Sequence, residues 1–191
     1  MRIVSVPERG GVDALTIERT LKPGQRWTPE HVHLDFSERF CVIEGIADAT
    51  RAGDDLRLAA KETLYIGEGV PHTNVRNRDN TDLRYRQTFE PATEGARSYV
   101  RTLAQLLREG RDDNGELPWS LVLAIGDVTR ERTYASRLPY ALQRRVLLPA
   151  GRVVAGARGY GVQLARVSRR PAPENGGGGS AQPDDILRRA S

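Results

Sequence analysis

The chain has three histidines: His31 and His33 stand two residues apart, and His72 is the third. On an extended strand, side chains at i and i+2 leave on the same face, so His31 and His33 project together to one side of a sheet. Glu38 follows beyond the short bend Leu34-Asp-Phe-Ser37, placed to return a carboxylate to the same point. His72 closes the stretch Gly67-Glu-Gly-Val-Pro-His72, where glycine and proline supply a turn that swings an imidazole inward. Three imidazoles and one carboxylate suit one divalent transition metal, Fe, Mn, Ni, Co, Cu or Zn. Four such ligands leave positions open for water, dioxygen or a chelating substrate. The single cysteine, Cys41, rules out an intrachain disulfide and fits a reducing cytoplasm. With all three histidines committed to the cluster, Cys41 has no partner base left and reads as structural.

The segments around these residues read as β-structure. From Ile3 to Phe89 the chain runs in short β-branched or aromatic stretches, among them Arg39–Glu44, Ile46–Thr50, Thr63–Ile66 and Leu83–Phe89. Glu44-Gly45 and Gly53-Asp-Asp55 read as turns between them. After residue 93 the pattern changes. Tyr99, Leu103, Leu106 and Leu107 recur at helical spacing between Glu94 and Glu109. A second helix is expected to open at Pro118 and carry Trp119, Leu121, Val122, Leu123 and Ile125. A third apolar stretch spans about 140–148, with Pro149 expected to interrupt it. Residues 171–191, with Pro171, Pro173 and the run from Gly176 to Ser180, read as a flexible tail.

The series His31-x-His33-x4-Glu38-x6-Gly45, followed by Gly69-Val-Pro-His72, resembles the two sequence motifs of the cupin superfamily. The resemblance spans roughly residues 20–90, as in small bacterial single-domain members. It implies a mainly β, double-stranded β-helix (jelly-roll barrel) whose three histidines and glutamate hold one metal ion. The second motif departs in three places: Gly67 stands where proline is usual, Lys61 where glycine is usual, and Arg76 where asparagine is usual, with Asn77 beside it. The expected organisation is a barrel over 1–92, an arginine-rich helical extension over 93–170, and the tail.

Around the metal, Trp27, Phe40 and Val42 are candidate pocket walls, although apolar strand residues are commonly simple core. On the last barrel strand, Tyr85 and Gln87 share one face and are candidates to orient a substrate or donate a proton. The opposite face carries Arg84 and Arg86, which would suit an anionic substrate, and spacing alone does not choose between the faces. Since a ligating histidine needs a second partner on its other nitrogen, one is expected for His31 or His33. The fold hosts many activities. The expectation is a metal-dependent enzyme acting on a small organic molecule, oxygenase-type chemistry first. The alternatives are a redox-neutral isomerase, cyclase or lyase, or a metal-containing module that binds a small ligand without catalysis.

Residues 1–90 carry 13 Lys+Arg against 15 Asp+Glu, and residues 91–170 carry 14 arginines against 7 acids, so the basic excess belongs to the extension. No helix-turn-helix or zinc-finger pattern accompanies it, so a nucleic-acid partner is not expected. The apolar stripes are expected to dock against the barrel exterior or a twofold partner, giving a homodimer, with peripheral membrane contact as the lesser alternative. No run is apolar enough to span a bilayer and no secretion signal opens the chain, so the expected location is the cytoplasm.

Overall fold

Strict alternation drives the β-structure. In Leu83-Arg-Tyr-Arg-Gln-Thr-Phe-Glu90, positions 83, 85, 87 and 89 are buried while Arg84 and Arg86 are exposed, as a half-buried strand requires. The structure is a computed structural model, and it describes residues 2–4, 13–25, 29–109, 118–161 and 165. Trp27 and residues 171–191 lie outside the described residues.

The strands are β1 (Arg2–Val4), β2 (Leu15–Leu21), β3 (His31–His33), β4 (Ser37–Glu44), β5 (Ala47–Arg51), β6 (Asp54–Leu58), β7 (Thr63–Ile66), β8 (Leu83–Glu90) and β9 (Thr133–Ala135). A five-stranded antiparallel sheet has the order β1-β2-β8-β4-β7. The second layer comprises the β5–β6 hairpin and the β3–β9 pair. Isolated bridges from His72 to His31 and Arg51, and from Arg76 to Asp48, lace residues 72–76 between them. Ala47, Ala49 and Val75 of this layer pack against Phe40, Val42, Leu64, Ile66, Leu83 and Tyr85 of the five-stranded sheet. Two sheets meeting on their inner faces make the double-stranded β-helix that the sequence leads one to expect.

Turns follow local chemistry. The β5–β6 turn is at Ala52-Gly53, both with positive φ, while Asp54 and Asp55 already belong to β6, one step away from the expected turn. Lys61 has φ +77°, the conformation that the glycine usual at this position adopts freely. Asn77 is buried and its amide donates to the carbonyls of Leu21 and Thr81, so it ties the loop before β8 to β2.

Helix α1 (Glu94–Arg108) starts where Thr93 Oγ1 accepts from the Ala96 amide at 3.1 Å. Helix α2 (Trp119–Thr129) follows Pro118, as expected. Leu103, Leu106, Leu121 and Ile125 are buried together between them, with Leu107 and Val122 packed at the margin. Two expectations for this region fail. Pro149 does not interrupt the third helical stretch: α3 (Tyr140–Leu142) passes through a π-helical turn at Gln143–Leu147 into α4 (Leu148–Ala155), with Pro149 in the first turn of α4. A π turn bonds one residue further back than an α turn, and a first-turn proline lacks only an amide that the helix start leaves unused. Nor is the extension wholly helical, because it contributes β9, which pairs with β3.

The extension meets the barrel in two places, and in one of them Tyr134 of β9 and Leu148 of α4 pack on Val32 and Leu34. Ala96 and Val100 of α1 pack with Leu15, Ile17 and Phe89, which share the inward phase of their strands, and with Phe36 from the bend between β3 and β4, so α1 covers one end of the sheet sandwich. Arg101, Arg108, Arg144, Arg145 and Arg152 face water. Among the described residues, no helix is long and apolar enough to cross a membrane.

Candidate metal centre

The β3 strand delivers His31 and His33, β4 delivers Glu38 as its second residue, and the turn Val70-Pro71 presents His72 alongside His31. Main-chain bonds lock that alignment: the His31 amide donates to the His72 carbonyl at 2.9 Å and the His72 amide to the His31 carbonyl at 3.0 Å. One ligating atom from each of His31, His33, Glu38 and His72 falls within 4.8 Å of the others. All four residues are buried. The cluster is compatible with a single metal ion, and the donor chemistry bears this out.

His31 Nδ1 donates to the Pro29 carbonyl at 2.7 Å, and His72 Nδ1 donates to the Val70 carbonyl at 2.9 Å. A carbonyl only accepts, so both rings carry their proton on Nδ1 and turn the Nε2 lone pair inward. Burial lowers the pKa of His31 and His33, with the neighbouring imidazoles adding to the effect at His31, so these rings are neutral. His72 Nε2 then lies 3.2 Å from Glu38 Oε2, and His33 Nε2 lies 3.3 Å from Glu38 Oε1. These are acceptors facing acceptors, and the buried His33 Nε2 has no hydrogen-bond donor on it. A cation among them is what such a set fits.

The surroundings are only partly those expected. Tyr85 and Gln87 do face the interior, whereas Arg84 and Arg86 point outward to Glu18. Gln87 Nε2 donates to Glu38 Oε1 at 2.8 Å, while Gln87 Oε1 has no donor on it among the described residues. Burial pushes the Tyr85 phenol up, and the Arg19 guanidinium beside it offsets part of that rise. Phe40 and Val42 pack in the apolar cluster away from the mouth that α1 covers.

Four contributors escaped the sequence reading. The Phe36 ring stacks on His33 at 4.1 Å between centroids. Arg19 is buried opposite Tyr85 in the β2–β8 ladder. Thr133 Oγ1 lies 2.5 Å from His33 Nδ1, and Glu131 in turn accepts from the Thr133 hydroxyl. Burial pushes the Glu131 carboxyl up to about 8. Phe36 lies between two ligands in sequence, and Arg19 breaks the apolar phase Leu15, Ile17, Leu21. Both signals were present. Thr133, 100 residues beyond His33 in a helical context, and Glu131 just before it carry none.

The family model described as "Cupin domain" matches residues 17–89. No curated protein sequence matches the chain. Solved structures similar to it include a protein with a double-stranded β-helix domain from Klebsiella pneumoniae, at 20% identity over 46% of this chain and 84% of that one, TM-score 0.38. KdgF from Halomonas is 19% identical over 47% of this chain and 76% of its own, TM-score 0.40. A predicted oxalate decarboxylase from Thermotoga maritima is 23% identical over 40% and 65%, TM-score 0.38. Residues 17–89, the segment that matches the cupin domain, carry all four residues of the cluster.

Proposed function

We propose that this protein is a metal-dependent enzyme acting on a small organic molecule, with oxygenase-type chemistry at a single divalent transition metal. The observation that carries the reading is the cluster itself, three imidazoles and one carboxylate buried together, each offering a ligand atom within 4.8 Å of the others. His31, His33, Glu38 and His72 would hold the ion. Bound there, a redox-active metal supplies Lewis acidity and one-electron chemistry toward dioxygen and substrate.

The chain's own residues then bind and orient. Gln87 fixes one Glu38 oxygen through its Nε2 and keeps Oε1 available to accept from a substrate hydroxyl or amide. Tyr85, with its phenol raised by burial, keeps its proton at neutral pH and can give a hydrogen bond to a developing oxyanion. Phe36 and the α1 residues Ala96 and Val100 keep bulk water from the cluster.

A second reading has an observation in its favour. His31, the most exposed of the four, is only 7% exposed, and a closed site suits a structural ion or redox-neutral chemistry. Elemental analysis of protein purified without added metal, followed by oxygen-uptake assays across small hydroxy, keto and phenolic acids, separates the two. Iron with substrate-dependent oxygen uptake supports the oxygenase reading. Stoichiometric zinc and no uptake would transfer the case to the second.

A further inference from the structure

Two of the three imidazoles are oriented from their own loops, by carbonyls two residues upstream. His33 is not. We propose that Thr133 and Glu131 form a positioning relay for His33, so that the C-terminal segment is a working part of the metal centre. The proposal rests on the metal-binding reading above.

Thr133 stands directly opposite His33 in the antiparallel β3–β9 ladder, and the Leu34 amide donates to the Arg132 carbonyl at 3.1 Å to fix that register. Val32, Leu34, Tyr134 and Leu148 form a common apolar cluster behind the pair, which keeps a ladder of only three residues in place. The hydroxyl has one proton, and Thr133 gives it to Glu131. It must therefore accept from His33 Nδ1, which puts the His33 lone pair on Nε2, toward Glu38 and the other rings. Phe36 stacked on the ring removes the remaining rotational freedom.

Glu131 needs an explanation of its own. It is a buried carboxyl, and the titratable nitrogen found within 4.0 Å of it among the described residues is His33 Nδ1 at 3.9 Å. A purely structural anchor gains little from burying a carboxyl here. A carboxyl behind an imidazole whose other nitrogen binds a cation strengthens that imidazole as a ligand and holds its plane. Gly95 supports the arrangement: a Cβ there would lie 3.2 Å from Glu131 Cα, so its absence lets the start of α1 close on this turn.

The test uses full-length protein stripped with EDTA and titrated with Zn2+ against a chromophoric chelator, with thermal melts of the metal-free forms alongside. Thr133→Val removes the hydroxyl at nearly constant shape and is expected to weaken Zn2+ binding about 10- to 100-fold, with little change in the metal-free melt. Thr133→Ser restores the hydroxyl and should return affinity to within about threefold of the starting protein, a rescue that mere packing would not give. If Thr133→Val does not fold, Glu131→Gln carries the test, with a loss of the same order expected. Unchanged affinity in the variants overturns the relay while leaving the metal site standing. Equal losses in the Ser and Val variants, tracking the melts, assign the pair to structure and overturn it too. Failure of the unsubstituted protein to bind Zn2+, Fe2+ or Mn2+ removes the metal reading itself, and the relay with it.

Discussion

Gly45 ends the strand that carries Glu38, and replacing it should be far more damaging than replacing a glycine of the same conformation in open space. Its φ is +85°, a region that costs an L-residue roughly 1–2 kcal/mol. A Cβ at Gly45 would also lie 2.7 Å from the Asp82 carbonyl oxygen and 3.1 Å from Leu83 Cα. Both are backbone atoms at the start of β8, next to the bulge between Val42 and Glu44 in the β4–β8 ladder. No side chain can rotate away, so the strands must part by a few tenths of an ångström, and overpacking of this kind costs about 1–3 kcal/mol. Gly53 supplies the control: its φ is +91° and nothing lies within 4 Å of its virtual Cβ. Gly45→Ala should therefore lose about 2–5 kcal/mol and Gly53→Ala about 1–2 kcal/mol. For a chain of this size that is a drop in Tm of roughly 5–15 °C against roughly 2–6 °C. Urea denaturation of the metal-free proteins, followed by circular dichroism, measures both. Indistinguishable midpoints for the two variants would refute the argument that close backbone approach sets the glycine at 45.

Three further outcomes are expected. His33→Ala should retain a small fraction of the metal of the parent protein yet melt cooperatively, because the apolar clusters do not include the ligands; loss of the cooperative melt would make the ion structural. In metal-free protein, Glu131 titrates near 8 when folded against its ordinary 4.5, so its contribution to stability is full below about 4.5 and is lost as pH rises through about 8. The stability of Glu131→Gln relative to the parent should climb across that window, with a ceiling of about 5 kcal/mol at about 1.4 kcal/mol per pH unit, and a flat difference in pH-stepped urea melts would contradict it. Lys61→Gly, which relieves a φ of +77°, should stabilise the protein by about 0.5–1 kcal/mol, measurable as an upward shift in urea midpoint.

The ligand cluster was legible because strand parity is a local property. His31 and His33 share a face by spacing alone, and the motif around Glu38, Gly45 and His72 supplies the rest. Parity also paired Tyr85 with Gln87, but which face turned inward depended on the opposite sheet and on Glu18, which draws Arg84 and Arg86 outward. Arg19 shows a signal that was present and passed over, an arginine in the buried phase of Leu15, Ile17 and Leu21. The β9 strand lay beyond local reasoning. Three residues are too few to display a period of two, and their pairing with β3 is made by tertiary packing of Tyr134 and Leu148 on Val32 and Leu34. Pro149 misled for a related reason, since a π-helical turn before it accommodates what an α-helical interior would reject.

The β3–β9 ladder has a bearing on how the protein is made. Closing a loop of 100 residues costs about 4 kcal/mol of chain entropy before any constant, and the ladder returns only a few backbone bonds, so it forms late, after the hydrophobic layers behind it. During synthesis all four ligands have been added once His72 is in place, while Thr133 follows 61 residues later. At about 5–20 residues per second that interval is on the order of 3–12 s. Through those seconds the ligands are present but His33 has no backing, and a loosely held donor set selects ions by general affinity, which favours copper and zinc over iron and manganese. Delivery of the four residues and the arrival of Thr133 opposite His33 are thus separate events on the ribosome, and under the proposed metal-binding reading the ion taken up would depend on what the nascent chain meets between them.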